Sequence, residues 1–265
     1  MEAEVVAAAR DGLAVTAERY AQLVEHVADT SIPIPDSDWT VRDATVHVCG
    51  SLQRMASLAG GEASTVPTIE KDFLAARARK LIDEVPETHG PKLADQIRNA
   101  LERLMDVTAP LAGDHPIAYH AGLRLNLAQL FSVYLGEYLL HGYDIAVAVR
   151  TPWPIDPGYA ALALYGFRAC YPGLFNPAAA AGLEAIYRLD TGGTDPFFVR
   201  ITAATFDEPA APETVDCVIS ADPVAALMVV SGRLDQWSAI ALGRLAFSGV
   251  RPEIGPRFTD LFVFP

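Results

Sequence analysis

Basic residues are scarce in this chain. Lys and Arg number 20 against 33 Asp and Glu, for a net charge of −13. A nucleic-acid backbone needs a basic partner surface, so this balance excludes it, and it disfavours docking on anionic lipid as well. Cysteine is scarcer still: Cys49, Cys170 and Cys217 are scattered, odd in number and form no CxxC pair. That excludes a disulfide framework and a thiolate zinc site, and it suits a reducing cytoplasm. No stretch approaches the ~18 unbroken apolar residues of a membrane span. The opening MEAEVVAAARDGLAV has acids where a secretory leader needs a basic start, so no targeting segment is expected there. Internal repeats and low-complexity tracts are also missing. These absences leave a soluble cytoplasmic protein as the expectation, with its oligomeric state open.

What is present is core material: 51% of the 265 residues are apolar. Ala9, Leu13, Thr16, Tyr20, Leu23 and Val27 recur at steps of three and four, which predicts a helix over about 3–28. The two prolines of SIPIPDSD break it. Thr40-Val-Arg-Asp43 reads as a capping box that opens a second helix, running to about Ala59 before Gly60-Gly61. A third helical region covers roughly 68–84 and 91–107, interrupted by VPETHGP. A fourth covers about 124–150 and ends at TPWP. Helices of this length joined by loops predict a four-helix bundle.

After Pro154 the texture changes. One more helix is expected over 157–171, then strands in LEAIYRL, FFVRITAATF and TVDCVIS, with turn signals (DTGGTDP, DEPAAPE) that suit antiparallel sheet. Helices at about 222–232 and 235–246 follow, the first opened by Asp222-Pro223, and LFVFP closes the chain as a last strand. The expected organisation is a helical bundle over 1–152, a helical connector over 153–182 and an α+β module over 183–265.

The sharpest chemical signal is Glu137-Tyr-Leu-Leu-His141. Residues four apart share a helical face, so carboxylate and imidazole can reach one point, with Asp144 three residues further on. Such a pair is half a site for zinc, iron or nickel, although the same spacing also makes a surface ion pair. His47, midway along the second helix among Ala44, Val48, Ser51 and Met55, is the best third ligand. Asp144 can orient His141, as carboxylates do for metal-bound imidazoles, or can be a solvated acid. His115 and His120 lie in DHPIAYHAG, a loop expected to cross one end of the bundle, where His120 or Tyr119 can line a pocket. Cys49, two residues from His47, faces elsewhere as a buried structural thiol, and Trp39 packs at the helix entrance.

The runs SDWTVRDATVHVCGSL and LGEYLLHGYDIAVAV together resemble the N-terminal domain of mycothiol-dependent maleylpyruvate isomerases, which belong to the DinB-like metal-binding four-helix bundles. Asp38, Trp39, Thr40, Val41, Arg42, Asp43 and His47 match the first part of that pattern, and Glu137, His141 and Asp144 the second. The resemblance covers roughly residues 5–150. It implies that His47, Glu137 and His141 hold a divalent metal, most simply zinc, with nickel or iron as alternatives. Residues 183–265, through VDCVISADPVAALMVVSGRLDQWSAIALGRLAFSG, look like a sterol-carrier-protein-like fold. The fold class expected is therefore α plus α+β: a DinB-like four-helix bundle followed by a smaller sterol-carrier-protein-like domain.

In the isomerases a C-terminal arginine assists the bound substrate carboxylate. Arg233 in VVSGRL occupies the most similar setting, with Arg244 in ALGRL as the other choice. The resemblance implies mycothiol as thiol cosubstrate and a small electrophile as substrate, with transfer or isomerisation as the outcome. The alternative is a carrier of an apolar or acyl ligand, in which the C-terminal module binds the ligand and the bundle metal is structural or vestigial.

Overall fold

Residues 2–192, 195–210 and 212–264 are described by a computed structural model. Helical periodicity builds its first half: α1 (Glu2–Glu25), α2 (Val41–Ala59), α3 (Lys71–Asp83), α4 (Gly90–Thr108) and α5 (Leu127–Ala148). Of these, α1, α2, α4 and α5 pack on one another as the four-helix bundle. The intervening α3 leans on α2 from outside and buries only Ala78 and Ile82.

Local chemistry sets the two helices that matter most. The Thr40 hydroxyl accepts from the Asp43 N–H, and Asp43 accepts in turn from the Thr40 N–H, so the capping box forms and α2 begins where expected. Asp43 also takes Arg42 at 2.8 Å and Arg79 of α3 at 3.2 Å, which ties the exterior helix to the start of α2. The fourth expected helix starts three residues late. Residues 124–126 are instead the strand β2 (Arg124–Asn126), paired antiparallel with β1 (Pro116–Ala118). Asn126 then caps α5 in a second reciprocal box with Gln129.

From α5 the chain turns back through α6 (Pro157–Ala169) and the short α7 (Tyr171–Leu174). Here α6 lies against α5 at glycine-scale distance. A Cβ on Gly166 would stand 2.4 Å from the Val133 backbone nitrogen, and one on Gly136 would stand 2.6 Å from the Phe167 ring. The same α6 packs on α8 (Pro223–Val230), so it links the bundle to the second half.

That second half is a five-stranded sheet of β3 (Ala185–Asp190), β4 (Phe197–Thr202), β5 (Thr205–Asp207), β6 (Cys217–Ala221) and β7 (Leu245–Ser248). Its order is β5-β4-β3-β6-β7. The β3–β6 pair is parallel and the others antiparallel, so the sheet is mixed where antiparallel pairing alone was expected. On β3 strict alternation buries Ala185, Tyr187 and Leu189.

Three further expectations are corrected. FFVRITAATF is two strands, because Ala203 and Ala204 turn the chain at φ 49° and 57°. The helix expected over 235–246 is α9 (Gln236–Ala241); Gly243, at φ 69°, ends it, and the rest is β7. LFVFP is no strand: Leu261 closes α10 (Phe258–Leu261) and Phe262 makes one isolated bridge to Phe175. Its last residue, Pro265, and parts of the DTGGTDP and DEPAAPE turns lie outside the described residues. No helix among the described residues is long and apolar enough to cross a membrane.

Candidate metal centre

His47 comes from the middle of α2, and Glu137 and His141 from successive turns of α5. The close packing of α2 on α5, fixed by the Tyr138 hydroxyl donating to the Val48 carbonyl at 3.0 Å, brings them together across 90 residues of sequence. One donor atom from each lies within 4.8 Å of the other two. The Glu137 Oε2 stands 3.3 Å from His47 Nε2 and 3.6 Å from His141 Nε2, so both imidazoles aim the same nitrogen at one carboxylate oxygen. All three side chains are half-buried.

Electrostatics suits a cation. Burial would raise the Glu137 pKa, but hydrogen bonds from His141 and His47 outweigh it and hold the group well below the usual carboxylate range. Burial lowers the His47 pKa and outweighs its bond to Glu137, so this imidazole is neutral at pH 7. His141 is raised: burial opposes its charged form, yet Asp144 and Glu137 together overcome that. Ionised Glu137 and neutral His47 are in the protonation states a divalent metal requires, and His141 would release its proton as the metal binds. The donor set of two nitrogens and one oxygen fits zinc and its neighbours.

Asp144 is not a solvated acid. Its Oδ2 is 3.3 Å from His141 Nδ1, and both of its oxygens accept from Arg233, at 2.8 Å from Nε and 2.6 Å from an Nη. Burial would raise its pKa, but the His141 and Arg233 contacts outweigh it and keep it ionised. The Arg233 fork is fixed further by donating to the Ser231 carbonyl at 3.1 Å. His141, Asp144 and Arg233 thus form one chain of contacts from the bundle into the loop after α8. Arg244, the other arginine considered, is occupied elsewhere: it pairs with Asp222 at 2.8 Å.

Trp39 does more than pack at the helix entrance. Its ring is stacked on His141 at 5.6 Å and tilted against His47 at 4.8 Å, covering the two imidazoles from one side. Its place just before the capping box was readable, but its two partners depend on where α5 packs. His115 is not brought to the site; its backbone carbonyl accepts from Leu127 N–H at the start of α5. His120 is buried in a 3-10 turn, stacked on Tyr119 at 4.3 Å, with Nδ1 2.6 Å from the Ser64 hydroxyl, and it lines a cavity beside α2. Cys49 is the buried thiol expected, its pKa pushed up to about 11 by burial.

A helical bundle carrying two histidines and a glutamate at its centre, with an arginine delivered from an α/β half, defines the class of molecule. Residues 9–146 match the family model described as the mycothiol maleylpyruvate isomerase N-terminal domain, and the chain belongs to that family. Among solved structures the fold is similar to the crystal structure of the mycothiol-dependent maleylpyruvate isomerase, at 14% identity over 92% of each chain with a TM-score of 0.53. A histidine-to-alanine mutant of that isomerase is similar at 13% identity, again over 92% of each chain with a TM-score of 0.53. No curated protein matches the chain in sequence.

Proposed function

We propose that this chain is a metal-dependent enzyme that joins a low-molecular-weight thiol, mycothiol, to a small electrophilic anion, ending in thiol transfer or in isomerisation. The observation that carries the reading is the meeting of His47, Glu137 and His141 donors within 4.8 Å, beside an Asp144 that Arg233 grips from the other half. These three side chains are the ligands we assign, and zinc is the ion we favour, with nickel or iron compatible with the same donors. Three protein donors leave coordination positions open, as catalytic sites do. A divalent ion held there supplies Lewis acidity, which makes a thiol a thiolate at neutral pH.

The chain's own residues supply the rest. Asp144 accepts from His141 Nδ1–H, so His141 Nε2 presents its lone pair to the centre. Trp39 shields the imidazoles from water on one side. Arg233 positions Asp144, and its guanidinium has five N–H donors, of which three are engaged by Asp144 and Ser231. The remaining two are the group we assign to an anionic substrate. Bond rotation after thiol addition, followed by elimination, gives isomerisation; release of the adduct gives transfer.

We place the protein in the cytoplasm, on its three free, buried thiols. The division at 152/153 and 182/183, and a sterol-carrier-protein-like character for 183–265, are part of the same proposal, supported by the change from bundle to mixed sheet. The test is an assay of the zinc-loaded protein with mycothiol and maleylpyruvate as probe, following thiol titre and isomer formation separately. Isomer formed with the thiol titre unchanged is expected for an isomerase, and loss of titre for a transferase. No reaction with this or a panel of activated alkenes and epoxides would remove the enzyme reading.

A further inference from the structure

Two arginines on one wall of the bundle are unlike the others. Among the described residues every half-buried arginine except Arg54 and Arg77 reaches a carboxylate or a backbone carbonyl; Arg42, Arg79, Arg98, Arg168, Arg233 and Arg244 are examples. The Nε of Arg77 is sealed from solvent with no hydrogen-bond partner. In a chain with 33 acids and 20 bases, two half-buried cations placed together with no acid paired to either leave N–H donors for an anionic ligand.

Both line a cavity of about 460 Å³ between α2, α3, α4 and the segment 62–66. Gln53, Ser64, Gln96 and His120 add hydrogen-bonding groups to its wall. Glu62 and Glu84 also border it, but both are exposed and neither pairs with either arginine. The segment 62–66 is fastened over the cavity: the Ala121 N–H donates to the Val66 carbonyl at 2.8 Å, and Ser64 bonds to His120.

None of His47, Glu137 and His141 lines the cavity, and Arg54 is the side chain that relates it to the metal centre. Arg54 follows His47 by two helical turns on α2, so the two share a face and lie roughly 10 Å apart along the axis. The positive charge of Arg54 is felt at His47, at His120 and at Tyr134, which precedes Glu137 by one turn of α5. Because Arg233 meets Asp144 one turn beyond His141 while Arg54 faces Tyr134 one turn before Glu137, Arg233 and Arg54 stand at opposite ends of the His47–Glu137–His141 cluster.

We propose that Arg54 and Arg77, with Gln53 and Ser64, form a carboxylate-binding subsite that holds the far end of an anionic ligand whose near end lies at the metal centre. The link to the metal rests on the function proposed above; the subsite itself does not. The subsite selects ligands that carry a carboxylate for Arg54 and Arg77 to grip.

The test is a titration of succinate into the full-length protein, as purified and again after metal removal, read by the side-chain Nε–Hε resonances of arginine in 15N NMR. Saturable shifts of the Arg54 and Arg77 signals, present with or without metal, are expected. Charge-assisted hydrogen bonds of this kind make Arg54→Gln or Arg77→Gln weaken succinate by at least about tenfold. Arg54→Lys should recover part of that loss, and Arg103→Gln, on an exposed face of α4, should leave affinity unchanged. Unshifted Arg54 and Arg77 signals, or full affinity in both Gln variants, would overturn the subsite. Binding that vanishes with the metal would also overturn it, by moving the carboxylate to the ion. An empty metal centre combined with arginine-dependent succinate binding would instead sink the metal reading and leave the subsite standing.

Discussion

Asp144→Asn separates charge from geometry at the proposed centre. The amide oxygen can still accept from His141 Nδ1–H across the 3.3 Å contact, so the ring keeps its tautomer and place. What disappears is a negative charge one hydrogen bond beyond the imidazole, and with it the basicity it lends the ligand nitrogen. Loss of such a partner typically weakens a metal by 10- to 100-fold, which is about 1.4–2.7 kcal/mol. Asp144 is paired to Arg233 as well, so its charge is already partly neutralised, and the lower half of that range is the expectation. Arg233→Met should shift metal affinity by less than about threefold, because it acts through Asp144 and not on the ligand itself. The assay is competition with a chromophoric zinc chelator at pH 7.5, run on wild type and both variants. A change under twofold for Asp144→Asn, or a larger effect from Arg233→Met than from Asp144→Asn, would refute this chain of influence.

Other outcomes follow from groups away from the centre. His120 is buried and its pKa is lowered to about 4 by desolvation, helped by Arg54 and Arg77. The unfolded chain therefore binds a proton below about pH 6.5 that the folded chain refuses until about pH 4. Stability from this group is full above pH 6.5 and falls by about 3 kcal/mol on acidification to pH 4. Urea unfolding at the two pH values should show that loss shrinking in His120→Gln, and an identical slope would contradict it. Asp43→Ala removes a buried cap and the partner of Arg42 and Arg79, and should cost about 3 kcal/mol of unfolding free energy; a loss under 1 kcal/mol would mean that the cations find water instead. Ala121 holds φ 54° without being glycine, so Ala121→Gly should stabilise by about 1 kcal/mol, measured as a raised Tm; a lowered Tm would mean that the methyl group's packing outweighs the strain.

The helical half was legible because its signals are local. Thr40-to-Asp43 capping and the Glu137/His141 face are short-range patterns, and the structure realises both. The sheet was less so. Ala203 and Ala204 turn the chain with no glycine or asparagine to announce it, and the residues of β7 follow a helix closely enough to read as its continuation. LFVFP looks like a strand by composition, but its aromatics pack in the cluster around Tyr171 and Phe175 rather than in a ladder. At the site, His47, Glu137 and His141 could be nominated from periodicity and resemblance. The Asp144–Arg233 grip joins residues 89 apart, and nothing within either segment encodes it. Arg54 and Arg77 were invisible for the opposite reason: an arginine on a helix reads as surface until its neighbours show that no acid pairs with it.

The central claim is that His47, Glu137 and His141 hold a divalent metal. Elemental mass spectrometry of wild-type protein and His47→Ala, purified side by side without chelators, tests it most directly. About one transition-metal ion per chain in wild type and close to none in the variant is the result expected from three ligands that leave positions open. Equal metal in both, or none in either after reconstitution with zinc, would contradict it.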